Sequence, residues 1–140
     1  MDDERITEAG IAAHDRQRSL PAEAERAMIE GLRVRLAGRG RCLDAGVGTG
    51  AVALPLARAG IPLVGLDRSR AMLGALVAKG DGGPPFPLVR GDLVRLPFVD
   101  GAFGAAVAAN VFHLIAAWRE ATAELVRVVG PGGLLLVNLG

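Results

Sequence analysis

Residues 43–50 read Leu-Asp-Ala-Gly-Val-Gly-Thr-Gly, an apolar strand that opens into three glycines spaced two apart. Such a loop uses glycine to reach positive φ and to let a ligand approach the backbone closely. The segment after it, Ala51–Ala59, reads as a helix closed by Gly60. Its first turn is expected to aim free N–H groups and the positive end of its dipole at the loop. A tight strand–helix turn without a ligand is the plainer alternative. Placement inside a strand–helix–strand unit favours the binding reading.

The rest of the chain repeats the alternation. A helical pattern starts at Pro21, where a missing N–H costs little. It carries Ala24, Ala27, Met28, Leu32 and Leu36 at helical spacing and ends at Gly38 and Gly40. Strands are predicted at Arg41–Ala45, Ile61–Leu66, Leu88–Arg90, Ala102–Asn110 and Leu134–Leu139. Helices are predicted at Ser69–Ala78 and Ala117–Val129, the latter with Trp118, Ala121, Leu125 and Val128 as its inner stripe. Residues 80–87 are loop, dense in glycine and proline. Strands alternating with helices imply an α/β fold, a doubly wound, mostly parallel, Rossmann-like sheet of about five strands with right-handed crossovers. Pro55 conflicts with a helix over 51–59, because it deletes a hydrogen bond and crowds the Ala51 carbonyl. A kink or an early 3₁₀ turn is expected there.

The chain has 140 residues, enough for one domain. Residues 1–20 read as an N-terminal arm or short helix, and 21–140 as the domain. One cysteine, Cys42, excludes an internal disulfide framework and a cysteine-only metal cage. No metal site is read, and Cys42 itself is expected to be an inert core thiol. Sixteen basic residues against fifteen acidic ones leave a net charge of +1. With the arginines scattered, this gives no nucleic-acid face. The acidic start is not a secretory signal, and no stretch approaches the ~18 apolar residues of a membrane span. The expectation is a cytoplasmic protein with no nucleic-acid or membrane partner.

Spacing separates the ligand classes. A dinucleotide fingerprint is G-x-G-x-x-G, whereas this loop is G-x-G-x-G with Asp44 two residues before it. A carboxylate so close is awkward for an anionic pyrophosphate and suits a ligand carrying an amine or sulfonium. Asp67 ends the second strand 21 residues after Gly46, near the ~20-residue interval at which an acid accepts ribose hydroxyls. A solvated strand-end aspartate is the bland alternative.

These residues resemble the class I S-adenosylmethionine-dependent methyltransferases, within them the broad small-molecule group. Leu43-Asp44-x-Gly46-x-Gly48-Thr49-Gly50 is similar to the family's first motif, and Val64-Gly65-Leu66-Asp67-x-Ser69-x-x-Met72-Leu73 to its second. Gly91-Asp92-Leu93-x-x-Leu96-Pro97-Phe98, Phe103–Leu114 and Glu124-Leu125-x-Arg127-Val128-Val129-x-Pro131-Gly132-Gly133 follow in the family's order. His14-Asp15-x-x-Arg18-x-x-Pro21 is similar to its arm, with His14 where the family often has Tyr. The resemblance implies S-adenosyl-L-methionine as cofactor and a small-molecule acceptor. It implies that the Gly46, Gly48 and Gly50 loop holds the methionine end, with Asp44 near its amine. Asp67 is implied on the ribose, Arg68 and Leu93 about the adenine, and Met72 lining the pocket. Asp92 is implied on the adenine amino group, and the Asn110 carbonyl on the methionine part. His113 is the candidate base, with His14 behind it. The plainer readings are a structural histidine bonded to a neighbouring carbonyl and a solvated arm residue.

The family's sheet usually has seven strands, and this sequence stops after the fifth, without the antiparallel hairpin. The fifth strand is therefore expected as an exposed apolar edge on which a second copy pairs as a homodimer. Three functions stay open: methyl transfer to a small molecule, a non-catalytic module holding the same cofactor, and, disfavoured by the glycine spacing, a nicotinamide-dependent oxidoreductase.

Overall fold

The computed structural model describes residues 8–18, 20–109 and 115–138. Its elements, in chain order, are α1 (Glu8–Arg18), α2 (Ala22–Leu36), β1 (Cys42–Ala45), α3 (Ala53–Arg58), β2 (Leu63–Asp67), α4 (Arg70–Ala78), β3 (Leu88–Arg90), β4 (Ala105–Ala109), α5 (Trp118–Val129) and β5 (Leu134–Asn138). The strands form one sheet in the order β3-β2-β1-β4-β5. Every pairing is parallel. The sheet reverses direction of growth between β1 and β4, where a doubly wound sheet opens a crevice.

Period-two alternation divides the core between the two faces. Cys42, Leu63, Ala105 and Val107 pack with Leu36, Leu54, Leu56 and Leu76 of α2, α3 and α4. Leu43, Val64, Leu66, Ala106 and Ala108 pack with Ala121, Leu125 and Val128 of α5. All four residues of β1 are buried, as suits a strand covered by helices on both sides. Phe98 and Phe103 meet edge to face at 4.9 Å and close one margin of the second cluster.

The Pro55 conflict is resolved by a late start. The helix spans Ala53–Arg58, not 51–59, which puts Pro55 in the first turn. Leu54 N–H still reaches the Gly50 carbonyl at 2.9 Å. In α5 the expected inner stripe holds at Ala121, Leu125 and Val128 but fails at Trp118, which is 47% exposed. Trp118 stands in the first turn, with the Arg119 guanidinium 4.5 Å from its ring centre. In α2, Ala24 and Ala27 are exposed, and Ile29, Leu32 and Leu36 face the core. β5 lies at one edge of the described sheet. Its Leu134, Leu135 and Leu136 are half-buried, so it is less exposed than a bare apolar edge. No helix among the described residues is long and apolar enough to cross a membrane.

Candidate functional site

β1, β2 and β3 end side by side, and each delivers an aspartate to the same margin of the sheet. Asp44 precedes the last residue of β1, Asp67 is the last residue of β2, and Asp92 lies two residues beyond β3. Register fixes the arrangement: Ala45 pairs with Leu66, and Asp67 pairs with Arg90. The glycine loop leaves from β1 directly beside Asp67.

The loop's shape comes from hydrogen bonds to β2 as well as from glycine. Gly46 and Val47 N–H both donate to the Leu66 carbonyl, at 2.8 and 2.9 Å, and Gly50 N–H returns to the Val47 carbonyl at 3.0 Å. Gly48 N–H donates to Asp67 Oδ2 at 2.9 Å. Gly46, Gly48 and Gly50 all take positive φ, which an L side chain resists. A side chain at Gly48 would point into open space, so its absence leaves that stretch of backbone accessible. The helix bounds expected at the loop are corrected here. The helix after it has six residues and begins three positions past Gly50.

Asp44 is 3% exposed. Burial first, and then the charge of Asp67, push its carboxyl up to about 7. A cation beside it would relieve both effects. Asp67 is half-buried, and its second oxygen accepts from Ser69 N–H at 2.9 Å. Ser69 in turn caps α4 by accepting from Met72 N–H at 3.1 Å. Met72 and Leu93 are buried, whereas Arg68 and Asp92 are exposed. Asp92 Oδ1 accepts from Val94 N–H at 3.2 Å. Cys42 is buried, and desolvation with the Asp44 charge pushes its thiol up to about 12, so it stays protonated and inert, as read.

Asn110 and His113 lie outside the described residues. His14 lies on α1, and its side chain is likewise outside the described ones. α1 nevertheless reaches the site through Asp15. Thr49 Oγ1 donates to Asp15 Oδ1, and Lys79 Nζ, at the end of α4, pairs with Asp15 Oδ2 at 3.1 Å. Sequence reasoning did not single out Thr49, Asp15 or Lys79 for this contact. Ser69 had a readable signal, a serine just before an apolar helical run. The wide surface depression of about 680 Å³ lies elsewhere, among Ala37–Arg39, Gly101–Gly104 and Pro131–Gly133, at the opposite ends of the strands.

A doubly wound sheet that brings carboxylates to three neighbouring strand ends is suited to a nucleoside whose polar end is cationic rather than a diphosphate. Comparison with known proteins narrows that class. Residues 43–137 match the family described as Methyltransferase domain, and the chain belongs to it. It is 37% identical over 97 residues to the demethylmenaquinone methyltransferase of Renibacterium salmoninarum, covering 69% of this chain and 40% of that one. It spans less than half the length of the curated relatives it matches. A solved chain of Methanococcus maripaludis superposes with a TM-score of 0.79 over 100% of this chain and 68% of its own; at 22% identity this is a likeness of fold. The [4+2]-cyclase SpnF is similar at TM-score 0.72 and 32% identity, covering 81% of this chain and 44% of that one.

Proposed function

We propose that the chain is the cofactor-binding part of an enzyme that transfers a methyl group from S-adenosyl-L-methionine to a small molecule. The observation that carries this reading is the pairing of the buried acid Asp44 with a glycine loop braced by Asp67. The residues present fit the group. Asp44 is an acid that a ligand ammonium would let ionise, and the glycine loop beside it is open at Gly48. Asp67 is assigned to the ribose hydroxyls, which would donate to its half-buried carboxylate. Arg68 and Leu93 are assigned to the two faces of the adenine, Met72 to the pocket wall and Asp92 to the adenine amino group.

When bound, the group supplies a methyl on a sulfonium, an electrophile that needs in-line placement more than acid–base help. The chain's own work is therefore binding, orientation and exclusion of water. Asn110, through its carbonyl, belongs to the methionine side of the proposal. His113 is the base proposed for an acceptor that must lose a proton as it attacks. Support for a small acceptor comes from the relatives named demethylmenaquinone methyltransferase. A second copy pairing along β5 also belongs to the proposal. Its support is the place of β5 at the edge of the described sheet, and light scattering that gives a monomer overturns it.

A second reading, a module that binds the cofactor without transferring its methyl, is favoured by the similarity to a chain named as a cyclase. Thermal shift tests the binding step. A ligand at ~100 times its Kd stabilises by about 2.7 kcal/mol. S-adenosylhomocysteine should raise the melting temperature, and NAD should not. Product analysis after incubation of S-adenosylmethionine with cell extract then separates enzyme from binder.

A further inference from the structure

Arg127 and Glu124 on α5 grip one peptide segment from two sides. Arg127 Nη2 donates to the Leu96 carbonyl at 3.0 Å, and Nη1 donates to the Phe98 carbonyl at 2.8 Å and to Asp100 Oδ1 at 2.9 Å. Its Nε and Nη2 also hold Glu124, at 3.1 and 2.7 Å. Glu124 Oε2 accepts from Leu96 N–H at 2.9 Å. Both the N–H and the carbonyl of Leu96 are thus fixed by one ion pair. The pairing also holds the Glu124 carboxyl below its ordinary range and Arg127 above its own. A planar guanidinium can serve five oxygens in this way, and an ammonium cannot.

The gripped segment leads directly to the site. Arg95 N–H donates to the Asp92 carbonyl at 3.1 Å, closing a tight turn over 92–95. Leu93 and Leu96 are buried in the same cluster as Leu125 and Val128 of α5. Leu96 is therefore the fixed end of a short, stiff turn whose other end carries Asp92 and Leu93.

We infer that Glu124 and Arg127 are positioning residues that set Asp92 and Leu93 for recognition of a 6-aminopurine. The inference rests on the cofactor reading above. Without the clamp, the turn keeps its apolar anchors but loses the polar contacts that fix Leu96. Asp92 then no longer presents a fixed acceptor to the exocyclic amine. The consequence is a loss of discrimination, beyond any loss of stability.

Calorimetry with S-adenosylhomocysteine and its 6-oxo analogue, S-inosylhomocysteine, tests this. The wild-type chain should prefer the amino form by at least about tenfold, the order expected for a hydrogen bond to a charged acceptor. Arg127→Met should bring the ratio of affinities close to one, and Arg127→Lys should fall between. Glu124→Gln provides a second variant should Arg127→Met fail to fold, as judged by near-ultraviolet circular dichroism, and it should also lower the ratio. An unchanged ratio in the folded variants overturns the inference and leaves the cofactor reading intact. Equal binding of the two ligands by the wild type does the same. A wild-type chain that binds neither ligand overturns the cofactor reading, and the positioning role with it.

Discussion

Gly48 N–H donates to Asp67 Oδ2 at 2.9 Å, so the acid that ends β2 holds the loop that ends β1. With its other oxygen on Ser69 N–H, Asp67 ties the glycine loop to the start of α4 before any ligand arrives. Asp67→Asn keeps one acceptor oxygen but loses the charge. Hydrogen bonds to charged groups contribute about 1.5–3 kcal/mol; with one acceptor retained, we expect urea unfolding to show a loss of about 1–2 kcal/mol. An unchanged midpoint would contradict the bracing role.

Asp44 makes the site sensitive to pH. Its carboxyl stands at about 7 in the folded chain, against an ordinary 3.8, so the folded state holds this proton more tightly than the unfolded state. The stability it confers is complete below about pH 4 and is lost as pH rises through about 7. Between pH 5 and 8, the ligand-free wild type should lose stability relative to Asp44→Asn, which cannot ionise. A ligand ammonium beside Asp44 reverses the preference, so affinity for S-adenosylhomocysteine should rise with pH over the same range and flatten in Asp44→Asn. Urea titrations and calorimetry at several pH values check both. A wild-type stability that gains on Asp44→Asn as pH rises would be the wrong sign.

Two glycines predict opposite responses to alanine. A Cβ on Gly104 would fall on the Arg39 carbonyl oxygen, and the Gly104 peptide is bonded on both sides, to Arg41 and Leu134. Overpacking costs about 1–3 kcal/mol when side chains can adjust; against backbone, Gly104→Ala should cost about 3 kcal/mol or more. Gly74 lies within α4 with nothing near its missing side chain. Gly74→Ala should stabilise by about 0.5–1 kcal/mol. Chemical denaturation of both variants tests the pair, and equal midpoints would contradict the packing at Gly104.

Asp15 fastens α1 to the site through Thr49 and Lys79. The Lys79 pair is partly exposed, so its removal should move global stability by less than about 1 kcal/mol. Local attachment should suffer more. Limited trypsin digestion of Asp15→Ala should cut at Arg16 and Arg18 faster than in the wild type. Equal rates would show that α1 is held by other contacts.

What could be read in the sequence was what is local. The Leu43–Gly50 run, Asp67 at a strand end and Leu88–Arg90 as a strand carry short-range signals, and each stands where its neighbours put it. Pro55 announced a conflict, and the chain resolved it by starting α3 later. The Arg127 clamp was out of reach because it joins residues 27 to 31 positions apart. Only its Glu124 partner, three residues away, is visible as a helix pair. The Thr49–Asp15 contact spans 34 positions and had no local mark. Trp118 misled for a different reason. Helical periodicity assigns a side chain to a stripe but does not tell how much of that stripe neighbouring elements cover.

The measurement that bears most directly on the cofactor reading is calorimetric titration of the wild type and Asp67→Ala with S-adenosylhomocysteine and with NAD. We predict one S-adenosylhomocysteine bound per wild-type chain, no NAD binding, and at least about tenfold weaker binding in Asp67→Ala. NAD bound at this loop, or S-adenosylhomocysteine bound equally well without the Asp67 carboxylate, would contradict it.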